Sequence, residues 1–205
     1  DLTPGNATLR LTNITSDVNV VAWFFIPDNS NDAELLEFTP DSTEVIRVKP
    51  AYRSIVTSVS IPATANGVRV IRDHAFEGCA SLEHLYLAPT VTTIGKYAFS
   101  NCVALTEMEI PNANATIDSF AFYNCNALHE VTLPANLAVI KGGLFSGCTS
   151  LFDIDIPATV SDIEGQAFMG CRSLFSLELP SALRTVGNQA FMGMNDLRFV
   201  TINEG

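Results

Sequence analysis

Five cysteines, three histidines and two closely spaced pairs of carboxylates are the side chains of this 205-residue chain that could carry chemistry. Thiolates and imidazoles bind zinc, and cysteines can also pair as disulfides. Two carboxylates held in one pocket can act as general acid and general base. The carboxylate pairs are Glu107 with Glu109 and Asp153 with Asp155. Which chemistry is open to these groups depends on where the fold places them.

The cysteines follow one strict spacing. Every step is 23 residues, and a methionine holds the next place in the series: Cys79, Cys102, Cys125, Cys148, Cys171 and Met194. Because methionine forms neither a disulfide nor a thiolate bond to zinc, the position favours reduced, buried thiols that fill space in a core. Stacked neighbours about 5 Å apart could pair on distance alone, but parallel side chains oppose a disulfide. The histidines share no such spacing, so the sequence predicts no metal site and no cofactor.

Phenylalanine recurs with the same period as cysteine. The series is Phe76, Phe99, Phe122, Phe145, Phe168 and Phe191. Leucine follows six positions later in every unit, from Leu82 to Leu197. An internal repeat of about 20 to 50 residues is typical of solenoids, propellers and arrays. The second part of the chain is therefore built from six repeated units.

Each unit predicts a coil of strand, turn, short second strand and tight turn. Apolar residues at nine and eleven positions after the Phe, such as Met108 and Ile110, alternate with polar ones and predict a half-buried strand. An apolar residue eighteen positions after the Phe, such as Ile117, predicts the second strand, and the Ala-Phe segment predicts a single helical or 3₁₀ turn. Glycine or asparagine two positions after the Phe predicts left-handed backbone there. These residues are Gly78, Asn101, Asn124, Gly147, Gly170 and Gly193.

Such coils bury their apolar side chains only when they stack on one another. We therefore predict a β-rich solenoid over residues 55–205, with a ladder of phenylalanines from Phe76 to Phe191 in its core. Residues 1–54 do not follow the repeat and predict a small β-rich module that caps the solenoid. Within it, Ile46 and Val48 alternate with charged residues and predict a strand that buries both.

The last predicted strand, Val200 to Ile202, is followed by no cap in this sequence. Two interpretations stay open. In the first, the natural chain continues beyond Gly205. In the second, the last coil is exposed and pairs with a partner, such as a second copy of the chain.

The repeat resembles the BspA-like, or Treponema-type, class of bacterial leucine-rich repeats. The second unit carries that class's pattern as Ile94-Gly95, Ala98-Phe99, Cys102, Leu105 and Ile110-Pro111. The resemblance covers about residues 55–205 and implies a right-handed coil of six leucine-rich units. It also implies an extracytoplasmic protein, at the cell surface or secreted, that binds other macromolecules and is not an enzyme. It does not cover the N-terminal module.

The outward positions of the main strands, eight and ten residues after each Phe, carry six carboxylates and neither lysine nor arginine. The candidate binding residues on this face are His84, Tyr86, Glu107, Glu109, Glu130, Asp153, Asp155, Glu178 and Phe199. Like charges on neighbouring strands cost stability. One interpretation is a solvated face that keeps the sheet soluble; the other is a surface that attracts a basic partner or divalent cations. Because these carboxylates lie on an open face, we expect no general acid or base among them.

The charge balance excludes some partners. The net charge is −11, which argues against binding nucleic acid or an anionic membrane surface. No stretch of about 18 apolar residues is present, so no membrane span is predicted, and no signal peptide is visible in this chain. The favoured hypothesis is a surface or secreted adhesion protein that binds a protein or glycan. The alternative is a structural spacer or assembly module of a larger envelope protein.

Overall fold

Fourteen short strands account for most of the regular structure in the computed structural model, which describes residues 35–61 and 67–202. The strands are β1 (Leu36–Phe38), β2 (Glu44–Val48), β3 (Ser58–Ile61), β4 (Val70–Ile71), β5 (His84–Leu87), β6 (Thr93–Ile94), β7 (Glu107–Glu109), β8 (Thr116–Ile117), β9 (Glu130–Thr132), β10 (Val139–Ile140), β11 (Asp162–Ile163), β12 (Ser176–Leu179), β13 (Thr185–Val186) and β14 (Phe199–Ile202).

The strands form two sides of a β-solenoid. The longer strands pair in parallel as β3 with β5, β7 with β9 and β12 with β14, and we call this side the main sheet. The two-residue strands form the back sheet, where β4, β6 and β8 pair in parallel, as do β10, β11 and β13. The fold class predicted from the repeat is confirmed, including the short second strand of each coil.

The phenylalanine ladder forms the core. Five of its rings, from Phe76 to Phe168, are fully buried. Neighbouring rings stack with centroids 5.2 Å apart at the start of the ladder and 5.9 Å apart between Phe168 and Phe191 at its end. One continuous apolar core therefore runs through all the coils, as stacked repeats require.

The cysteines lie beside that ladder as buried, unpaired thiols. Each thiol from the second coil onward donates to the carbonyl oxygen of the Phe one coil earlier, as Cys125 Sγ does to Phe99 O at 3.1 Å. Burial raises the pKa of Cys171 to about 12. The interpretation of the cysteines as core residues is confirmed, and the S–H groups join successive coils.

The buried thiols predict a loss of stability in alkaline solution. The thiol of Cys171 titrates near 9.0 in its ordinary state and near 12 in the fold, so the unfolded chain gives up its proton first as the pH rises. The stability that this protonated thiol contributes is fully present below pH 9 and is lost as the pH rises from 9 to 12. Urea unfolding from pH 8 to 10.5 should show this fall, and a Cys171→Ala variant should show a shallower one. An equal fall in the free energy of unfolding for both proteins over this pH range would contradict a buried, protonated thiol at Cys171.

The predicted left-handed residues two positions after each Phe all have positive φ, from 57° at Asn124 to 82° at Gly147. A second left-handed position, two residues before each Phe, was not predicted. It is held by ordinary side chains in five of six coils: His74, Tyr97, Phe120, Gly143, Gln166 and Gln189. Three of them stack, with ring centroids 5.2 Å apart for His74 and Tyr97 and 5.0 Å apart for Tyr97 and Phe120. The Phe120 ring then covers Gly143, whose missing side chain leaves room for it.

The N-terminal part of the described chain joins the back sheet. Strand β1 pairs with β2 in antiparallel orientation, and β2 pairs with β4 in parallel. The prediction that Ile46 and Val48 are both buried is wrong for Ile46: Val45 and Val48 are fully buried, and Ile46 is half-buried. The reason is a bulge in the β1–β2 ladder, which shifts the alternation by one residue. The part of the predicted β-rich module before residue 35 lies outside the described residues.

Candidate functional site

The acidic face consists of the outward side chains of the main sheet. The residues predicted to form it lie there: Glu109, Glu130, Asp153, Asp155, Glu178 and Phe199 are exposed, and His84, Tyr86 and Glu107 are half-buried. In the β7–β9 pair, Glu107 lies directly opposite Glu130, so two like charges face each other across one rung. The sequence correctly predicts the position of these residues; their role in binding stays a prediction.

The fourth coil departs from the predicted strand pattern. Residues 153–156 form no ladder strand, although Ile154 remains buried as predicted. Aspartate is rare in strands, and this segment has two, Asp153 and Asp155. The two neighbouring coils each carry an outward carboxylate as well, Glu130 in the third coil and Glu178 in the fifth. Each aspartate has one like charge beside it, Glu130 next to Asp153 and Glu178 next to Asp155, which weakens pairing here. The main-sheet ladder is interrupted at this coil, as it also is between β5 and β7.

Two shallow cavities of about 340 Å³ each open on the acidic face. The first is lined by Glu130, Asp153 and Asp155 with small apolar groups such as Ala135. The second is lined by residues of the first three coils, among them His84, Tyr86, Glu107, Glu109 and Glu130. Carboxylates line both cavities, so both carry negative charge.

His84 and Tyr86 mark the N-terminal end of the acidic face. The Nδ1 atom of His84 lies 4.0 Å from Glu107 Oε1, so the two attract each other when the imidazole is protonated. Partial burial, with a smaller contribution from the Glu107 carboxylate, raises the pKa of Tyr86. Tyr86 therefore stays neutral to a higher pH than an exposed tyrosine would.

A row of exposed aromatic side chains in the last coils runs along the edge of the acidic face, and its last member, Phe199, also belongs to that face. We call Phe152, Phe175 and Phe199 the aromatic row; their exposed fractions are 55%, 53% and 60%. Phe175 and Phe199 meet edge to face with ring centroids 5.3 Å apart, and Phe152 stacks on His129 at 5.9 Å. From the sequence, Phe152 and Phe175 could equally have been packed. The signal for exposure was present, because their repeat position holds polar residues in the other coils.

The described residues offer little for metal or covalent chemistry. Among residues 35–61 and 67–202, no three His, Cys, Asp or Glu side chains converge on a point where a metal ion could be held. The cysteine thiols are buried, and burial raises the pKa of Cys125 and Cys148 well above the ordinary range, so these thiols are poor nucleophiles.

The last coil leaves apolar side chains uncovered. Val200 is 53% exposed and Ile202 is 68% exposed, whereas Leu177 and Leu179, at the same repeat positions one coil earlier, are buried. Strand β14 also pairs on one side only among the described strands.

Within the described part of the chain, no helical segment has the length and apolar character needed to cross a bilayer.

Comparison with known proteins identifies the repeat. The family model of the BspA type leucine-rich repeat region matches residues 49–174 and 116–205, with six copies. The T. pallidum leucine-rich repeat protein is 30% identical, with a TM-score of 0.73 over 82% of this chain and 80% of that one.

A leucine-rich cell surface protein from Faecalibacterium prausnitzii is 25% identical, with a TM-score of 0.63 over 82% of this chain. A leucine-rich repeat protein from Bacteroides ovatus is 28% identical, with a TM-score of 0.54 over 75% of this chain. The chain spans about half the length of these two proteins, 52% and 46%. No protein of curated function matches the sequence. The chain belongs to the BspA type leucine-rich repeat family.

Proposed function

We propose that this chain is a non-enzymatic binding protein, displayed at a cell surface or secreted, that presents its acidic face to a protein or glycan of another cell. The observation that carries the proposal is the face itself: six carboxylates, edged by exposed aromatic rings, along one side of a stacked scaffold. Stacked repeats suit such a role because each coil adds side chains to one extended surface. A similar fold in a protein described as a leucine-rich cell surface protein supports the location.

An array of extracellular proteins and glycans tests this proposal. The chain should bind at least one component, and binding should weaken as salt rises from about 50 mM to 500 mM, because exposed charges are screened. A hit that needs calcium would mean that the carboxylates bind their partner through a bridging cation. Binding that is indifferent to salt would contradict a role for the charged face.

A structural or assembly module of a larger envelope protein is the second candidate function. Val200, Ile202 and the one-sided strand β14 are suited to self-association or to covering by another segment. If the array shows no binding and sedimentation velocity shows a concentration-dependent dimer, this function would be favoured over recognition of a foreign partner.

A further inference from the structure

We infer that the aromatic row, with the acidic face beside it, is a docking site for an extended cationic polypeptide segment in the polyproline II conformation, carrying arginine at every third residue. This inference rests on the proposed function and names the partner class of that same face. The partner class follows from the exposure of the rings, the charge of the face and the spacing of its carboxylates.

The exposed rings provide the apolar part of the site. Phe152, Phe175 and Phe199 occupy three consecutive coils, and each is more than half exposed. The ladder of phenylalanines already fills the core, so burial in the fold does not explain these three rings. Aromatic side chains in a row are the surface on which polyproline II segments pack, and guanidinium groups stack well on such rings.

The charge of the neighbouring residues selects a cationic segment. The main-sheet outward positions hold six carboxylates and neither lysine nor arginine. Phe152 and Asp153 are adjacent in the sequence and both are exposed. Arginine fits this combination better than lysine, because its planar head can stack on a ring and pair with a carboxylate. An acidic glycan is disfavoured by the same charge.

The spacing of the carboxylates selects the conformation. The two pairs, Glu107 with Glu109 and Asp153 with Asp155, lie on the second and fourth coils. At about 4.8 Å per coil they are separated by about 9.6 Å along the solenoid. A polyproline II helix repeats every three residues, or about 9.3 Å. Outward carboxylates lie on every coil from the second to the fifth, so arginines three residues apart would meet a carboxylate on every second coil. Glu130 and Glu178, on the intervening coils, add to the same negative charge.

The hydrogen bonding of the sheet also disfavours a bound β-strand. Backbone groups of the main-sheet ladders, such as those of β7 and β9, bond to neighbouring coils in the plane of the sheet. A segment that lies across the face along the solenoid axis meets side chains and not a strand edge. Polyproline II requires no backbone partners, because its backbone is solvated.

A pair of labelled peptides tests the inference. The first has four repeats of Arg-Pro-Ser, and the second has the same composition with its four arginines grouped at one end. In fluorescence anisotropy at low salt, the spaced peptide should bind about tenfold more tightly than its isomer, since only its charges match the face. Equal affinities would show unspecific charge attraction and overturn the inference.

Paired variants locate the site. Asp153→Asn with Asp155→Asn, and separately Phe152→Ser with Phe175→Ser, should each weaken the spaced peptide about tenfold. The matched control is Asp118→Asn with Asp196→Asn, which removes two charges from exposed aspartates outside the main sheet and should leave affinity unchanged. Thermal unfolding of each variant verifies the fold. A control variant that weakens binding as much as the others would contradict the site.

The outcomes separate this inference from the proposed function. If the spaced peptide fails to bind but a partner from the array still depends on the acidic face, the polyproline II inference is wrong and the proposed function stands. If a neutral glycan binds the aromatic row in place of the peptide, the partner class is wrong. If no partner depends on the face, both are wrong.

Discussion

Replacing Phe122 with alanine should lower the free energy of unfolding by about 3–5 kcal/mol, the usual cost of removing a buried ring. Phe122 is fully buried and lies between two rings of the ladder, with centroids 5.4 Å from Phe99 and 5.7 Å from Phe145. Coils above and below are held in place by their own cores, so the cavity cannot close fully. Urea unfolding followed by circular dichroism measures the loss.

The matched control is Phe152→Ala in the next coil. Its ring is 55% exposed, so the same change should alter stability by about 0.5 kcal/mol or less. A loss under about 1 kcal/mol for Phe122→Ala would mean that the phenylalanine ladder is not the core.

Gly95→Ala should destabilise the protein by about 1–3 kcal/mol, the typical cost of forcing atoms into a packed contact. A Cβ atom on Gly95 would come within 2.5 Å of the backbone nitrogen of Asp73 in the preceding coil. Because that neighbour is backbone, one coil must move away from the other. Chemical unfolding of the variant measures the effect.

Gly142→Ala is the control for this change. Its nearest contact across coils would be 3.4 Å from Gly165 O, an ordinary distance. Alanine there should be neutral or stabilise by about 0.4–1 kcal/mol, because it restricts the unfolded chain. If Gly95→Ala were as well tolerated as Gly142→Ala, the coils would stack less closely at Gly95 than the structure shows.

The sequence predicts the core of this fold well because the repeat samples each core position six times. A single Phe or Cys does not show whether its side chain is buried. Six residues at one spacing must stack on one another, which predicts the buried phenylalanine ladder and the buried thiols. The left-handed turn after each Phe was predictable because glycine and asparagine hold it. The left-handed turn before each Phe was not, because tertiary stacking holds His74, Tyr97 and Phe120 there against their intrinsic preference.

The candidate site was predictable in position and less so in detail. Alternation along each strand placed Glu107 and Glu130 on the outward face. It did not predict that the ladder is absent at residues 153–156, because that depends on charges from neighbouring coils. Alternation along the strand also left the exposure of Phe152 and Phe175 undecided, and the signal for it lay in the polar residues at the same repeat position of the other coils. The bulge that moves Ile46 out of the core has no signal in the alternation itself.

The central claim, that the acidic face recognises a partner, is tested most directly by removing its charge. The variant carries Glu107→Gln, Glu109→Gln, Asp153→Asn and Asp155→Asn, and the control carries Asp73→Asn, Glu77→Gln, Asp118→Asn and Asp196→Asn. Surface plasmon resonance compares both with the unchanged chain on the strongest partner from the array. We expect the face variant to bind at least about tenfold more weakly and to lose its salt dependence, with the control unchanged. Equal binding by the face variant and the unchanged chain would contradict the account.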